Sequence, residues 1–467
     1  MIGTLGGECG GNPKPVCPLQ SGAVSVDYGG RSAPTAQDLA PIAAVRVLMP
    51  ADAGPELGGA GEHRVGWGFI SLFTLAFMST SLLFLPPLLV TLPLKINALV
   101  GIKEAPNSLA LVAGIGALVA MLGNPFFGRM SDRTSSRLGM RRPWMVIGLL
   151  GGSLGLLLVA LAPNIPVVLI GWCITQLFFN ALLAAQIAVL PDQVPSTQRG
   201  LVSGVLGICL PIAAVSGTFL VRLVSGNQLA TFLVPCGIGG FFILLFAFAL
   251  KDRRLAVADR PIWSLREFVS TFYVAPRTSP DFAWAFASRF LFILAYAFLA
   301  TYQAYYLLDK LGSARADVPQ QIFLGTLTQS VVVVAASLIG GQLSDRTGRR
   351  KIFVFTASIV YGLAMFVVAI ASTFNGFLVG MAIGGLGFGL YTAVDLALVA
   401  DVLPAENRVA KDLGVLNIAG ALPFSIAPAS APIILAIGGG RYGALYAVAG
   451  VCAIIGALAI LRVRGVR

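Results

Sequence analysis

Histidine is almost missing from this chain of 467 residues: its one copy, His63, stands before the first long apolar run. A histidine-based catalytic triad or a multi-histidine metal site therefore cannot be assembled within that part of the chain. Cysteine is sparse too, with six copies. Cys9 and Cys17 lie in a Gly- and Pro-rich start, while Cys173, Cys209, Cys236 and Cys452 lie inside apolar runs as small hydrophobes. No CxxC or metal-ligand spacing occurs, which argues against redox and metal chemistry. No GxxxxGK(S/T) phosphate loop is present, so ATP is not expected as a direct energy source. Neither a metal nor a cofactor is expected, and the chain does not read as an enzyme.

Charge is the third scarcity. Charged residues make up 11% of the chain, against about 25% in soluble domains. With 57% hydrophobic residues and a mean hydropathy of +0.86, the composition is that of a polytopic membrane protein. The formal net charge of +12 sits in short loops between apolar runs, which is the pattern of the positive-inside rule and not of a nucleic-acid surface.

Apolar runs long enough to cross roughly 30 Å of hydrocarbon predict twelve helices. They fall at about 66–92, 108–128, 144–163, 167–190, 201–222 and 229–250, and again at 282–308, 320–342, 352–372, 376–400, 413–437 and 442–461. The Gly-rich runs GIGALVAMLG and GMAIGGLGFG, in the second and tenth spans, allow close backbone approach. The organisation expected is a tail at 1–64, a six-helix bundle at 65–250, a linker at 251–281 and a second bundle at 282–467. The tail has no apolar period and is expected to be disordered and to carry no signal peptide. Met49 inside it offers an alternative translation start. In the linker, Leu265, Phe268, Val269 and Phe272 fall on one face of a surface-lying helix, which is either a tether or a regulatory element.

The stretch Gly128 to Trp144, GRMSDRTSSRLGMRRPW, returns as GQLSDRTGRRK at Gly341 to Lys351. Gly128, Asp132 and Arg133 fall on Gly341, Asp345 and Arg346 at an offset of 213, and Arg141 and Arg142 fall on Arg350 and Lys351 at 209. The same 209 carries Gln186 to Asp395, Asp192 to Asp401 and Arg199 to Arg408, while Trp67 falls on Trp284 at 217. Offsets that change only between helices indicate two homologous halves. Loops on the hinge side, together with both termini, hold 25 Lys and Arg against 6 on the other side. That side and both termini are therefore expected to be cytoplasmic, in a cell (inner or plasma) membrane.

Two ionisable residues lie well inside the predicted spans, Arg289 and Asp395. Such charges are costly and face a bundle interior or a watery cavity. As a pair they form either a fixed structural bridge or a site for a proton or an anionic substrate; alternatively one side chain snorkels outward. Gln176, Asn180 and Gln186 put amides on the fourth span, Tyr296, Tyr302 and Gln303 lie on the seventh, and Tyr391 and Thr392 on the tenth. Amides and aromatic faces suit sugars, whereas Tyr305 and Tyr306 read as interface anchors. Asp132 is expected to pair with arginines of its own loop or to accept hydrogen bonds at a neighbouring helix N-terminus, and the D-x-x-P-x-x-x-R copies, Asp192 with Arg199 and Asp401 with Arg408, to pair across their loops or with hinge arginines or to form solvated turns.

Two six-helix halves with G-x-x-x-D-R-x-G-R-R after the second helix of each resemble the major facilitator superfamily over residues 65–467, here through Gly341, Asp345, Arg346, Gly348, Arg349 and Arg350. The longer SDRTSSRLGMRRPW resembles the glycoside-pentoside-hexuronide:cation and sucrose:proton symporter branch. That resemblance implies an all-α fold of two parallel six-helix repeats, helices 1, 4, 7 and 10 around a central cavity, and hinge contacts that hold the cytoplasmic side shut. Where that branch commonly carries acids in D-x-x-x-D-P, this chain has Ala120 and Asn124 before Pro125, which disfavours sodium. The expected function is proton-coupled movement of a small neutral solute, a sugar or glycoside, by a monomer in contact with lipid. Efflux of amphipathic compounds is the alternative, and a non-transporting sensor or scaffold is the reading from another class.

Overall fold

The computed structural model of the protein describes residues 64–255, 280–402 and 418–463. The expected tail, the amphipathic linker helix and Arg408 lie outside them, as do the side chains of Asp345 and Asp401. In hydrocarbon every backbone N–H and C=O must be satisfied within the segment, and the described residues answer with helices throughout. These are α1 (Trp67–Pro86), α2 (Leu92–Asp132), α3 (Arg142–Leu161), α4 (Ile165–Gln193), α5 in two pieces (Ser196–Gly207 and Cys209–Leu223) and α6 (Gln228–Ala249). The second set is α7 (Pro280–Tyr305), α8 (Val318–Thr347), α9 (Arg350–Ile370), α10 (Phe374–Val402), α11 (Pro423–Ile437) and α12 (Tyr442–Leu461).

Twelve separate spans were expected, and the described residues form eleven helices long and apolar enough to cross a membrane. The count differs at the start, where the run Trp67–Asp132 is counted once although it breaks at Gly101 into two helical stretches, each long enough to cross a membrane. Residues 93–100 and 102–107, expected as a loop, are helical, and the chain turns between them at Gly101, whose φ of 77° only glycine adopts freely. The doublet Pro86-Pro87 lacks two amide donors, and beyond it the ladder widens to a π turn at Pro87–Thr91, with the Leu92 N–H donating to Pro87 O. A second π turn, Tyr306–Lys310, ends α7 in the same manner.

Packing repeats between the two sets. α3 lies on α4 and α6, α2 on α4, and α1 on α5 and α6; correspondingly α9 lies on α10 and α12, α8 on α10, and α7 on α11 and α12. The sets meet through α2 with α11 and α5 with α8, which are themselves repeat equivalents. The close approach expected of the tenth span is present, since a Cβ on Gly387 would stand 2.8 Å from Ala357 O and one on Gly389 2.6 Å from Val333 O.

The duplication is also written in side-chain contacts that the sequence comparison did not reach. Lys95 donates to Ala160 O at the end of α3 (2.8 Å), and Lys310, 215 residues on, donates to Ala369 O at the end of α9. Arg142 donates to Phe248 O at the end of α6 (3.2 Å), and Lys351 to Val463 O beyond α12 (2.5 Å). In each case a cation meets the carbonyls that a helix C-terminus leaves unpaired, where the dipole favours positive charge.

The side away from the hinges is closed between the two sets. There Tyr305 donates to Pro93 O (3.1 Å), Tyr302 lies 3.4 Å from Pro106 O, and the Arg222 guanidinium stands 5.4 Å over the Phe323 ring. Tyr305 and Tyr306, expected as interface anchors, are instead fully buried. Their hydroxyls are spent on carbonyls, Tyr306 on Val368 O at 2.8 Å, so the polar end of each ring finds a protein partner and not the interface.

Replacing Lys95 or Lys310 by methionine should cost about 1.5 to 3 kcal/mol each, the range for hydrogen bonds to charged groups. Thermal unfolding in detergent should show lower Tm for both variants and, because the contacts are repeat equivalents, losses of similar size; an unchanged Tm in either would remove the capping role.

Candidate functional site

Four groupings of polar residues lie along the molecule. At the first hinge Arg141 is 5% exposed and organises the loop. It bonds Asp132 (2.6 Å), Asp192 (2.8 Å) and the Ser131 hydroxyl (2.9 Å). Burial alone would lower its pKa, but the hydrogen bond to Asp192 and the two carboxylate charges hold it above the ordinary arginine value. Asp192 thus takes the hinge arginine, while Arg199 donates to Val194 O (2.7 Å) and Pro191 O (2.9 Å) at the end of α4. The role of N-terminal anion for α3 goes to Asp252, which accepts from the backbone N–H groups of Arg141 (2.7 Å) and Arg142 (2.9 Å). Asp252 lies against Gly139, whose φ of 106° and lack of a Cβ admit the carboxylate. Sequence reasoning missed Asp252 because its partner is more than a hundred residues distant. Arg133, Arg346 and Arg349 are at least partly exposed, and Gly348, at φ 63°, ends α8 with its N–H on Ser344 O (2.9 Å).

Arg289 and Asp395 do meet, as an ion pair between α7 and α10, with side chains 18% and 11% exposed. The neighbouring turns continue the contact. Tyr391 interacts with the Asp395 carboxylate from one turn away, and its ring stacks on Phe292 with centroids 3.6 Å apart and planes within 6°. Next, Phe388 packs on Tyr296 at 4.6 Å.

Phe388 and Tyr296 then form one wall of a small central cavity between the two helix sets, about 50 Å³ in volume. Leu85, Leu89, Leu210, Pro211, Ala214, Leu299, Ala300 and Val333 supply apolar walls, and Gln303, Thr326, Gln329 and Ser330 supply uncharged polar groups. The Gln329 amide nitrogen is buried without a protein partner. Of the expected substrate residues Tyr296 and Gln303 line this cavity. Tyr302 is buried, its hydroxyl 3.1 Å from Pro428 O, and Tyr391 faces the ion pair. The sequence signal for Thr326, Gln329 and Ser330, which the expected site lacks, is a polar interruption, TLTQS, in a largely apolar span.

The amides of α4 form a separate buried cluster. Gln186 accepts from Thr80 (2.6 Å), and Asn180 lies 3.4 Å from Asn124 and donates to Gln176 O (2.8 Å). Gln176 Oε1 and Gln186 Nε2 remain without partners. Among the described residues no group of three or more His, Cys, Asp or Glu could hold a metal ion.

Comparison with known proteins gives a sequence match to the Major Facilitator Superfamily over residues 68–328 and 285–466. The multidrug resistance protein MdtG of Salmonella choleraesuis is 26% identical over 329 residues, covering 67% of this chain and 76% of that protein. Shorter matches are to an uncharacterized transporter of Buchnera aphidicola (38% identity, 20% of this chain, 23% of the relative) and a probable polyol transporter of Arabidopsis thaliana (28%, 20% and 17%). The chain therefore spans less than a quarter of the length of these two relatives. The crystal structure of a mutant form of the nucleoside transporter NupG superposes with a TM-score of 0.68 at 12% identity, covering 85% of this chain and 99% of that one. The human organic anion transporter MFSD10 superposes with a TM-score of 0.60 at 15% identity, covering 84% and 98%. At these identities the structural likeness speaks to fold.

The hinge geometry makes a measurable claim. Arg141→Gln and Asp192→Asn should each lower Tm, and their effects should be coupled by about 1 kcal/mol in a double-mutant cycle, the scale for residues in direct contact. Additive losses would show that the bridge contributes nothing beyond its two separate residues.

Proposed function

From the premise that this chain belongs to the Major Facilitator Superfamily, we propose that it is a secondary transporter that exports small, neutral, amphipathic solutes by alternating access in exchange for protons. The observation that carries the reading is the central cavity, whose lining is mainly apolar, with four uncharged polar side chains and no charged one. Such walls suit a solute with an extensive apolar face and one or two hydrogen-bonding groups. The multidrug resistance protein that aligns over two thirds of the chain supports the same chemistry. A second reading, uptake of a sugar or polyol, draws on Gln303 and Gln329 beside the aromatic faces of Tyr296 and Phe388, and on the shorter match to a polyol transporter.

In this reading the hinge side is cytoplasmic, following the loop charge, and the contacts of Tyr305 and Arg222 with the opposite helix set close the outer side. The transporter works as a monomer in a cell membrane, rocking its two halves about the cavity. Arg289 and Asp395 couple the motion to protons. The pair sits in a low-dielectric interior where an unpartnered charge is costly, so a proton on Asp395 loosens the hold between α7 and α10. Loss of the proton restores it.

Proteoliposomes loaded with a panel of amphipathic dyes and of sugars test the proposal, the direction of an imposed pH gradient separating export from uptake. Asp395→Asn combined with Arg289→Gln, which leaves no unpaired charge, should retain solute-for-solute exchange yet lose pH-driven accumulation. If the double variant still concentrates solute, the pair is structural and the proton binds elsewhere.

A further inference from the structure

The ion pair and the cavity are separate places, and three side-chain contacts span the distance between them. On α7 the participants are Arg289, Phe292 and Tyr296, spaced three and four apart on one helical face; on α10 they are Asp395, Tyr391 and Phe388, spaced four and three apart. They match in antiparallel register: Arg289 with Asp395, Phe292 with Tyr391 at 3.6 Å, Tyr296 with Phe388 at 4.6 Å. Asp395 to Phe388 is about 10 Å along the helix axis. Phe292 is fully buried and Tyr391 nearly so, so the middle contact has no free volume in which to slip. Phe292 also touches the Phe388 ring directly, with centroids 6.0 Å apart.

We propose that the stacked Phe292–Tyr391 rings are the positioning element through which the state of the ion pair is imposed on the Phe388 and Tyr296 wall of the solute cavity. The inference rests on the reading of Asp395 as the proton site. Among the described residues the charged or titratable groups facing that carboxylate are Arg289 from α7 and Tyr391 from its own helix; the helical turn just before α11 brings Gly420 next to Arg289. When the carboxylate is charged, Arg289 holds the two helices in register and the rings stay stacked. When it is protonated the register loosens, and two flat rings in contact transfer the shift to the next turn, where the cavity wall begins.

The full chain in proteoliposomes, carrying Phe388→Trp as a reporter and compared with the same protein lacking it, reads the wall without any knowledge of the solute. Reporter emission should change with pH and become flat in Asp395→Asn. Phe292→Leu should cut the pH-dependent change about fivefold, within the range seen for residues that modulate coupling. The infrared carboxyl band that disappears in Asp395→Asn should still titrate in this variant. Tyr391→Phe keeps the ring but removes a hydroxyl partner of Asp395, so it should keep the full reporter amplitude while the pH at which the change occurs shifts. Tyr391→Leu breaks the same stack from the other helix and should match Phe292→Leu, which provides a second route where one variant does not fold. Full reporter amplitude in a folded stack-breaking variant overturns the link while leaving the proton reading standing. A reporter response that survives Asp395→Asn overturns the proton reading and the link together.

Discussion

Inside an apolar medium a polar group has no solvent to fall back on, and most of what is specific in this molecule follows from that. Lys95 and Lys310 would be liabilities near their helix ends, yet each becomes the donor that the last turn of α3 or α9 lacks. Tyr305 and Tyr306 bury their rings completely and give their hydroxyls to carbonyls of other elements. Arg141, 5% exposed, is tolerated because two carboxylates and a hydroxyl surround it. A group of this kind ties down two or three helices at once, so satisfying it and fixing the packing are the same event.

The same constraint separates the parts of the molecule by chemistry. Ion pairs form at the first hinge around the buried Arg141 and between Arg289 and Asp395, while the central cavity is lined by uncharged polar groups and apolar ones. Between them lies an aromatic strip in which Phe292 stacks on Tyr391 and Tyr296 packs on Phe388.

Duplication gives the fold its economy. Each of the five intra-set packings described has its counterpart in the other set, and the two junctions between sets, α2 with α11 and α5 with α8, are equivalents of one another. Function breaks the symmetry where the halves diverged. Asp395 stands where the first half has Gln186, which bonds Thr80 instead of a cation.

How much of this was readable beforehand follows from the range of the forces involved. Helical spans, the repeat, the hinges and the two intramembrane charges depend on hydrophobic runs and on local composition, which any stretch of chain carries within itself. The family resemblance rested on the same local signals. The sequence did not disclose that the helix continues past Pro86-Pro87 as far as Gly101 before the chain turns, because the Gly101 turn and the π turn depend on which carbonyls find donors. Nor did it separate amides that line the cavity from those that do not: Gln303 and Gln186 are the same kind of residue in the same kind of span, and only the rotation of α7 and α4 about their axes assigns one to the cavity and the other to Thr80. Asp252 was unreadable for a similar reason, since its partners stand 110 and 111 residues away. Sequence alone determined that this chain is helical, membrane-spanning, twofold repeated and hinged by arginines. Tertiary structure decided which polar groups meet, because burial in a low-dielectric bundle makes each of them choose a partner that proximity along the chain does not specify.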